Sequence, residues 1–344
     1  MTIGICGCGK MGTNIFQYLS GFNFTLIWLC KTETAAQNQQ NLFLKRLQRQ
    51  LRNGLLSEID FTRQIKDSFF THLPANLSNC DLVIETITEN VETKQELFHR
   101  LDTICPAKCI LTSNSSSILP SRLFPSAERT ANFAGLHFFY PVALKNITEL
   151  IITPHTSESA IGFLKQFLVE INRFHLLQNE QNAFLLNRIL LDVQNEACKI
   201  LIEEKISPAV IDSITKETLF PMGLFAFFDN VGIDVMLFSV KNYSKEFYGG
   251  ESTYLPLISC LHEKFVQGYL GIKTQHGFFD YSNAQPGEST GSLYVSPRKR
   301  KAFAARLINT WRTSVRNALD KENITKKDLQ FALAEYFGED ISLF

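Results

Sequence analysis

A helix that crosses a bilayer needs about 18 consecutive apolar residues, and no run in this chain approaches that length. Also missing is a basic stretch followed by a cleavable apolar one at the N-terminus, which runs directly into Ile3-Gly4-Ile5-Cys6 and a glycine turn. Neither sign of charge is in excess. Lys plus Arg and Asp plus Glu each total 34, which removes the electrostatic footprint of a nucleic-acid binder and the acidic balance of a solvating tail. Cys-x-x-Cys spacing is absent as well. The eight cysteines, at 6, 8, 30, 80, 105, 109, 198 and 260, sit mostly in apolar strand or helix contexts, as buried thiols do in a reducing compartment. A soluble, cytoplasmic protein is expected, without disulfides, a metal site, or nucleic-acid or membrane partners.

What is present is enough apolar material for real cores: 45% of 344 residues, a length that suits about two domains. The 29 phenylalanines are spread through the expected cores and carry no functional weight. Up to about residue 155, short apolar strands (3–6, 24–30, 81–86, 109–113, 133–138 and 150–152) alternate with amphipathic helices, the pattern of βαβ units in a mostly parallel sheet. A helix over 156–172 and a strand over 175–177 finish this part. After about 182 the pattern is wholly helical, with apolar residues at helical spacing over 184–204 and a helix opened by Ser207-Pro208.

Laid over itself from Ala305, the stretch beginning at Asn187 matches without gaps. Arg188-Ile189-Leu190 faces Arg306-Leu307-Ile308, and Ile206-Ser207 faces Ile324-Thr325, which reads as a partial second helical copy. Between the copies, 282–300 holds Pro, Gly and Ser and reads as a linker. Its basic run Arg298-Lys299-Arg300-Lys301 reads as a solvated charged loop in preference to an anion site. The expected organisation is a Rossmann-type, doubly wound α/β domain over 1–182, an all-helical substrate and dimerisation domain over 183–281, and a linker with the partial repeat over 282–344.

Gly7-Cys8-Gly9-Lys10-Met11-Gly12 follows an apolar strand and opens a helix, the context in which a glycine string becomes a dinucleotide cradle. Gly7 permits the tight turn, Gly9 the approach of backbone N–H groups to a pyrophosphate, and Gly12 close helix-to-strand packing, with the positive end of the helix dipole facing the phosphates. Lys10 and Met11 lie in the same turn and are further candidate contacts. The second strand ends Trp28-Leu29-Cys30-Lys31-Thr32, so the carboxylate that commonly holds the adenine ribose of NAD is missing. Lys31 with Thr32 suits a 2′-phosphate, and Glu33 can still reach a ribose. NAD and NADP both stay open, as does a plain solvated role for Lys31.

His137, between Leu136 and Phe138, would ordinarily be a satisfied core histidine. Glu149, at the start of the next expected strand, offers the carboxylate that orients an imidazole and stabilises its charged form. Ser115, Ser116 and Ser117 follow Asn114 at the carboxyl end of another strand, the edge at which open α/β sheets bind ligands. A hydride acceptor and a proton acceptor are what oxidation of an alcohol requires.

From Gly4 to Tyr281 these segments resemble the L-3-hydroxyacyl-coenzyme A dehydrogenase family. The resemblance is carried by the glycine turn, Asp81-Leu82-Val83-Ile84-Glu85 with Glu89-Asn90, Ser113-Asn114-Ser115-Ser116-Ser117, and Gly135 to Pro141. In the helical part it is carried by Asn187-Arg188, Phe220-Pro221-Met222-Gly223, Gly271-Ile272-Lys273-Thr274 and Gly277-Phe278-Phe279. It implies that His137 takes the hydroxyl proton, that Glu149 holds the imidazolium, and that Ser116 and Asn187 position the 3-oxygen of an acyl-CoA substrate. Glu85, Asn90, Ser116, Tyr140 and Lys273 fall on cofactor-contact positions. A helix expected over 34–53 sets Lys45, Arg49 and Arg52 on one face, where they can meet the charged coenzyme A moiety. The resemblance also implies a homodimer through the helical domain.

Three departures stand beside it: Tyr140 where the family has Asn, Asn182-Ala183-Phe184 where it has Pro-Gly-Phe, and Cys30 where it has the acidic ribose partner. The reading they leave is an active enzyme. The alternatives are a dehydrogenase of free 3-hydroxy (sugar) acids and a degenerate dinucleotide-binding paralogue with Tyr140 against the nicotinamide site. Ala305 in place of Asn187 makes the C-terminal copy a structural one.

Overall fold

The computed structural model describes residues 1–124, 126–246, 252–282, 294–321 and 324–337 and places the first strand at the switch point of a sheet. β1 (Thr2–Cys6), α1 (Lys10–Leu19), β2 (Thr25–Leu29), α2 (Glu33–Arg52), α3 (Glu58–Lys66), β3 (Ser68–Thr71), β4 (Leu82–Glu85), α4 (Val91–Ile104), β5 (Ile110–Ser113), β6 (Phe133–Phe138), β7 (Ile147–Ile152), α5 (Glu158–Glu170) and β8 (Phe174–Asn179) follow in order. The strands form one sheet in the order β3-β2-β1-β4-β5-β6-β7-β8. All neighbours are parallel except β6 and β7. The order reverses between β1 and β4, so the crevice at their carboxyl ends is where a ligand of such a sheet lies.

Alternate residues of each strand feed two cores, as the pleat requires. Ile3, Ile5, Leu26 and Trp28 join Phe16, Phe43 and Leu47 on one face, with Phe16 stacked on Trp28 at 4.5 Å between ring centroids. Cys6, Leu29 and Val83 join Phe98, Leu101 and Phe133 on the other. Burial on both faces explains why these strands read as continuous apolar runs. The strand β3 gives no clear signal, because Ser68-Phe69-Phe70-Thr71 is a short edge strand with only one neighbour. β7 starts at Ile147, ahead of the expected 150, since Thr148 and Glu149 are buried polar residues that interrupt the apolar pattern. Glu149 therefore lies inside a strand.

Residues 1–183 form one compact unit and 184–344 the other. The second is helical: α6 (Leu185–Glu204), α7 (Pro208–Thr218), α8 (Leu224–Val231), α9 (Ile233–Glu246), α10 (Leu255–Val266), α11 (Pro297–Lys321) and α12 (Lys326–Phe337). Ser207 caps α7, accepting from Ala209 N at 3.2 Å, with Pro208 at its first position. Two buried carboxylates organise the segments between helices. Asp212 accepts from the N–H groups of Phe225 and Ala226 (2.9 and 3.0 Å) at the start of α8. Asp229 accepts from those of Phe278 and Phe279 (2.9 and 3.0 Å).

The basic run Arg298-Lys299-Arg300-Lys301 is not a loop. It is the first turn and a half of α11, and its charges are partly used: Lys299 pairs with Glu204 at 2.8 Å and Arg300 with Glu217 at 2.6 Å. Of the expected linker, residues 283–293 lie outside the described residues. α11 packs along α6, with Phe303, Leu307, Trp311 and Val315 buried at helical spacing and Arg306 forked onto Glu196 and Glu203 at 2.6 and 3.0 Å.

Candidate active site

The antiparallel register of β6 and β7 puts His137 opposite Glu149. Their side chains meet at 2.7 Å, Nδ1 to Oε2, with Glu149 fully buried and the imidazole nearly so. The other carboxylate oxygen accepts from Gln178 Nε2 at 3.0 Å, supplied by β8. Beside them Asn114, at the end of β5, accepts from Phe138 N at 2.9 Å and pins the end of β6. A carboxylate at Nδ1 makes that nitrogen the donor, and the resulting tautomer keeps Nε2 as the basic one. Sequence reasoning named both members of this dyad and missed Gln178, which stands between Leu177 and Asn179 and 29 positions from Glu149, a placement that gives no signal.

The glycine turn is shaped as its spacing demands. Gly7 has φ +110°, and a Cβ there would meet Thr86 O at 2.8 Å; a Cβ on Gly12 would meet Gly7 O at 2.1 Å. Trp28 Nε1 donates to Gly7 O at 2.8 Å and fixes the turn from below. Gly9, by contrast, faces nothing within 4 Å, and as N-cap of α1 it offers no side chain to the first-turn N–H groups. Those donors and the open space above them fit the pyrophosphate of a dinucleotide. Met11 packs against the sheet core, so its side chain serves the fold. Lys10 and Tyr140 meet: the ammonium lies 3.9 Å from the centroid of the half-exposed Tyr140 ring, joining the start of α1 to the segment just past His137.

At the end of β2, Cys30 is buried, Lys31 and Glu33 are exposed, and the Thr32 hydroxyl accepts from Ala35 N at 3.2 Å as the cap of α2. Lys45, Arg49 and Arg52 are all solvent-exposed on α2, whose buried face is Ala36, Phe43 and Leu47. Arg49 and Arg52 also lie in its last turn, where cations suit the helix dipole.

Glu85 is the last residue of β4. It is fully buried, and its oxygens are taken within the fold by Lys94 Nζ, Ile87 N and Ser113 Oγ, all at 2.6 Å. Burial pushes its carboxyl up, and Lys94 and Ser113 only partly offset this. The Lys94 and Ser113 bonds tie the end of β4 to α4 and β5. The carboxylate that reaches the serine turn is Glu89. One of its oxygens accepts from Ser115 Oγ (2.5 Å), Ser117 Oγ (2.9 Å) and the N–H groups of Ser116 and Ser117 (3.2 Å each). Burial would raise the Glu89 carboxyl, but Lys94 at 3.4 Å together with Ser115 and Ser117 holds it below its ordinary value. The serine partners of Glu89 lie more than 25 residues away in sequence, so spacing alone gives no sign of these contacts. Asn90 caps α4, accepting from Thr93 N at 2.8 Å.

In the second unit Asn187 is in the first turn of α6. Its Nδ2 donates to Tyr243 Oη at 2.9 Å, and its Oδ1 accepts from Tyr336 Oη at 2.8 Å. Lys273, in a 3-10 turn of the same unit, is paired with both oxygens of Asp234 at 2.5 and 2.6 Å, so any anion it meets shares it with that carboxylate.

Residues 2–181 match the family model of the 3-hydroxyacyl-CoA dehydrogenase NAD binding domain, and residues 184–281 match that of the 3-hydroxyacyl-CoA dehydrogenase C-terminal domain. The chain is 31% identical to a 3-hydroxybutyryl-CoA dehydrogenase of Bradyrhizobium diazoefficiens over 83% of this chain and 96% of that protein. It is 29% identical to the human mitochondrial hydroxyacyl-coenzyme A dehydrogenase over 81% and 90%. Among solved structures, an (S)-3-hydroxybutyryl-CoA dehydrogenase of Ralstonia eutropha superposes with a TM-score of 0.73 at 29% identity, covering 82% of this chain and 99% of that one. The Escherichia coli 3-hydroxybutyryl-CoA dehydrogenase shares the fold over 99% of this chain and 89% of that one, with a TM-score of 0.84 at 20% identity.

Proposed function

Because this chain belongs to the 3-hydroxyacyl-CoA dehydrogenase family, with a nicotinamide dinucleotide as cofactor, we propose that it interconverts L-3-hydroxyacyl and 3-oxoacyl thioesters of coenzyme A with His137 as the base. The observation that carries this reading is the 2.7 Å contact between His137 and the buried Glu149. When bound, the nicotinamide supplies the hydride acceptor. In oxidation, His137 Nε2 takes the hydroxyl proton, and the imidazolium so formed is stabilised by Glu149, itself held by Gln178. In reduction the same proton returns to the 3-oxygen.

Ser116 and Asn187 are assigned to hold the 3-oxygen, whose charge in the transition state calls for placed donors. Gly7, Gly9 and Gly12 with the start of α1 hold the pyrophosphate, and Lys10 and Tyr140 border it. Asn90, as the cap of α4, and Lys273, as a cation shared with Asp234, are assigned to the cofactor. The exposed Lys45, Arg49 and Arg52 are assigned to the phosphates of coenzyme A.

An exposed Lys31 at a strand end without a carboxylate favours acceptance of NADP beside NAD. Among the described residues no helix is long and apolar enough to cross a membrane. A cytoplasmic setting, which suits eight free cysteines, belongs to the same reading. So does a homodimer formed through helices of the second unit other than α6, along which α11 already packs.

The test is reduction of acetoacetyl-CoA by the purified chain with NADH and NADPH in parallel, repeated with His137→Gln. Turnover by the wild type with kcat lowered roughly 10²- to 10⁴-fold in the variant, at nearly unchanged cofactor affinity, is expected. Equal turnover by both would remove His137 from the chemistry, and no turnover by either would move the reaction to another hydroxy acid.

A further inference from the structure

We propose that Tyr336, on the last described helix, is a positioning residue for Asn187 and thereby for the 3-oxygen of the substrate. The inference rests on the role given to Asn187 above. That amide is held at both ends: Tyr243 receives one N–H at 2.9 Å and Tyr336 donates to the carbonyl oxygen at 2.8 Å. With both ends tied the plane of the amide is fixed, and so is the direction of the second hydrogen on Nδ2, the one left for a substrate oxygen. Tyr243 alone would leave the amide free to turn about that single contact.

The hydroxyl of Tyr336 is itself firmly placed. α12 is capped by Thr325, which accepts from Asp328 N at 3.1 Å, and it buries Leu329, Ala332 and Leu333. The next residue, Phe337, stacks on Phe220 at 4.6 Å and meets Trp311 edge-on at 5.3 Å, with Trp311 almost fully buried on α11. Asp192, also on α6, accepts from Ser314 of α11 at 2.5 Å, which ties the same pair of helices along their length. The C-terminal helices thus form a clamp whose last turn reaches the first turn of α6.

That clamp lies outside both matched family regions, which end at residue 281. The Bradyrhizobium diazoefficiens relative is spanned over 96% of its length by 83% of this chain. The matched C-terminal region, 184–281, therefore contains the Asn187 end of this contact and not the Tyr336 end. The partial helical repeat, in which Ala305 stands at the position of Asn187, lacks the amide itself and instead contributes a hydroxyl to the first copy.

The experiment is a double-mutant cycle in the full chain, using Tyr336→Phe, which keeps the ring, and Asn187→Ala. Steady-state reduction of acetoacetyl-CoA, thermal melting and cofactor affinity are read for each protein. Loss of one neutral hydrogen bond corresponds to roughly a three- to tenfold effect. Tyr336→Phe is expected to lower kcat by about that factor with KM for the thioester, melting temperature and cofactor Kd little changed, and to have no further effect once Asn187 is Ala. Wild-type kinetics for Tyr336→Phe, or the same loss in the Asn187→Ala background, would overturn the positioning role while leaving that of Asn187 standing. A fully active Asn187→Ala would overturn the reading of Asn187 and this inference with it.

Discussion

A histidine on a buried strand becomes a base only if something holds its ring and accepts its charge, and here both tasks fall to Glu149. Replacing Glu149 by Gln keeps the shape but offers Nδ1 an amide that can present either a donor or an acceptor. The wrong tautomer then becomes accessible, and kcat should fall by roughly 10²-fold or more. The pH dependence of kcat for this variant checks it: an unaltered profile at wild-type rate would show that the 2.7 Å contact serves packing alone. Lys31 is tested in the same way at the cofactor end. Its ammonium is exposed where an adenosine ribose would lie in such a sheet, so Lys31→Asp should lower the NADPH-to-NADH ratio of kcat/KM by roughly tenfold. An unchanged ratio assigns Lys31 to solvent.

At the scale of elements, buried carboxylates fix the segments between helices of the second unit. Asp212 receives two N–H groups at the start of α8, yet burial pushes its carboxyl up to about 6, against the pull of those bonds and of Lys216. A folded-state value above the ordinary 3.8 means that the folded form holds the proton more tightly. The stabilisation this provides is fully present below that ordinary value and is lost as pH rises through about 6. Urea unfolding of wild type and Asp212→Asn across this window should therefore diverge, with the wild type losing stability relative to the non-titrating variant as pH rises. Parallel curves would place the proton elsewhere. The same element-scale logic explains the basic run at 298–301: four cations in sequence look like a solvated loop until the glutamates of α6 and α7 are brought against Lys299 and Arg300.

For the whole molecule, α11 is an integral wall of the second unit and not an appendage. Leu307 is fully buried on its apolar stripe beside Arg306, which is forked onto two glutamates of α6. Leu307→Ala should cost roughly 2–5 kcal/mol by transfer and cavity formation. A calorimetric melt that separates the two units should show the loss in the helical transition, with the transition of the cofactor-binding unit unmoved. A loss confined to the sheet-containing unit, or none, would mean that α11 does not bear on the stability of the unit it belongs to. Because Tyr336 follows from the same helices, such weakening should also lower the acetoacetyl-CoA rate.

Local chemistry was legible in the residues themselves. The spacing of Gly7, Gly9 and Gly12 between an apolar strand and a helix determined the cradle, because a tight turn, an open donor edge and close packing are all requirements on neighbouring backbone. The alternation of apolar strands and amphipathic helices determined the doubly wound sheet, and the change of period near residue 182 its helical successor. What only the tertiary structure decided were the pairings of distant polar groups. His137 meets Glu149 through the register of an antiparallel strand pair. Lys94 donates to the Glu85 carboxylate, and Glu89 accepts from the serine turn. Tyr336 reaches Asn187 across 149 positions of chain. Strand and helix propensities act over a few residues and leave a periodic trace, whereas a hydrogen bond between side chains far apart in sequence leaves none until burial has fixed both partners and removed the water that would otherwise compete for them.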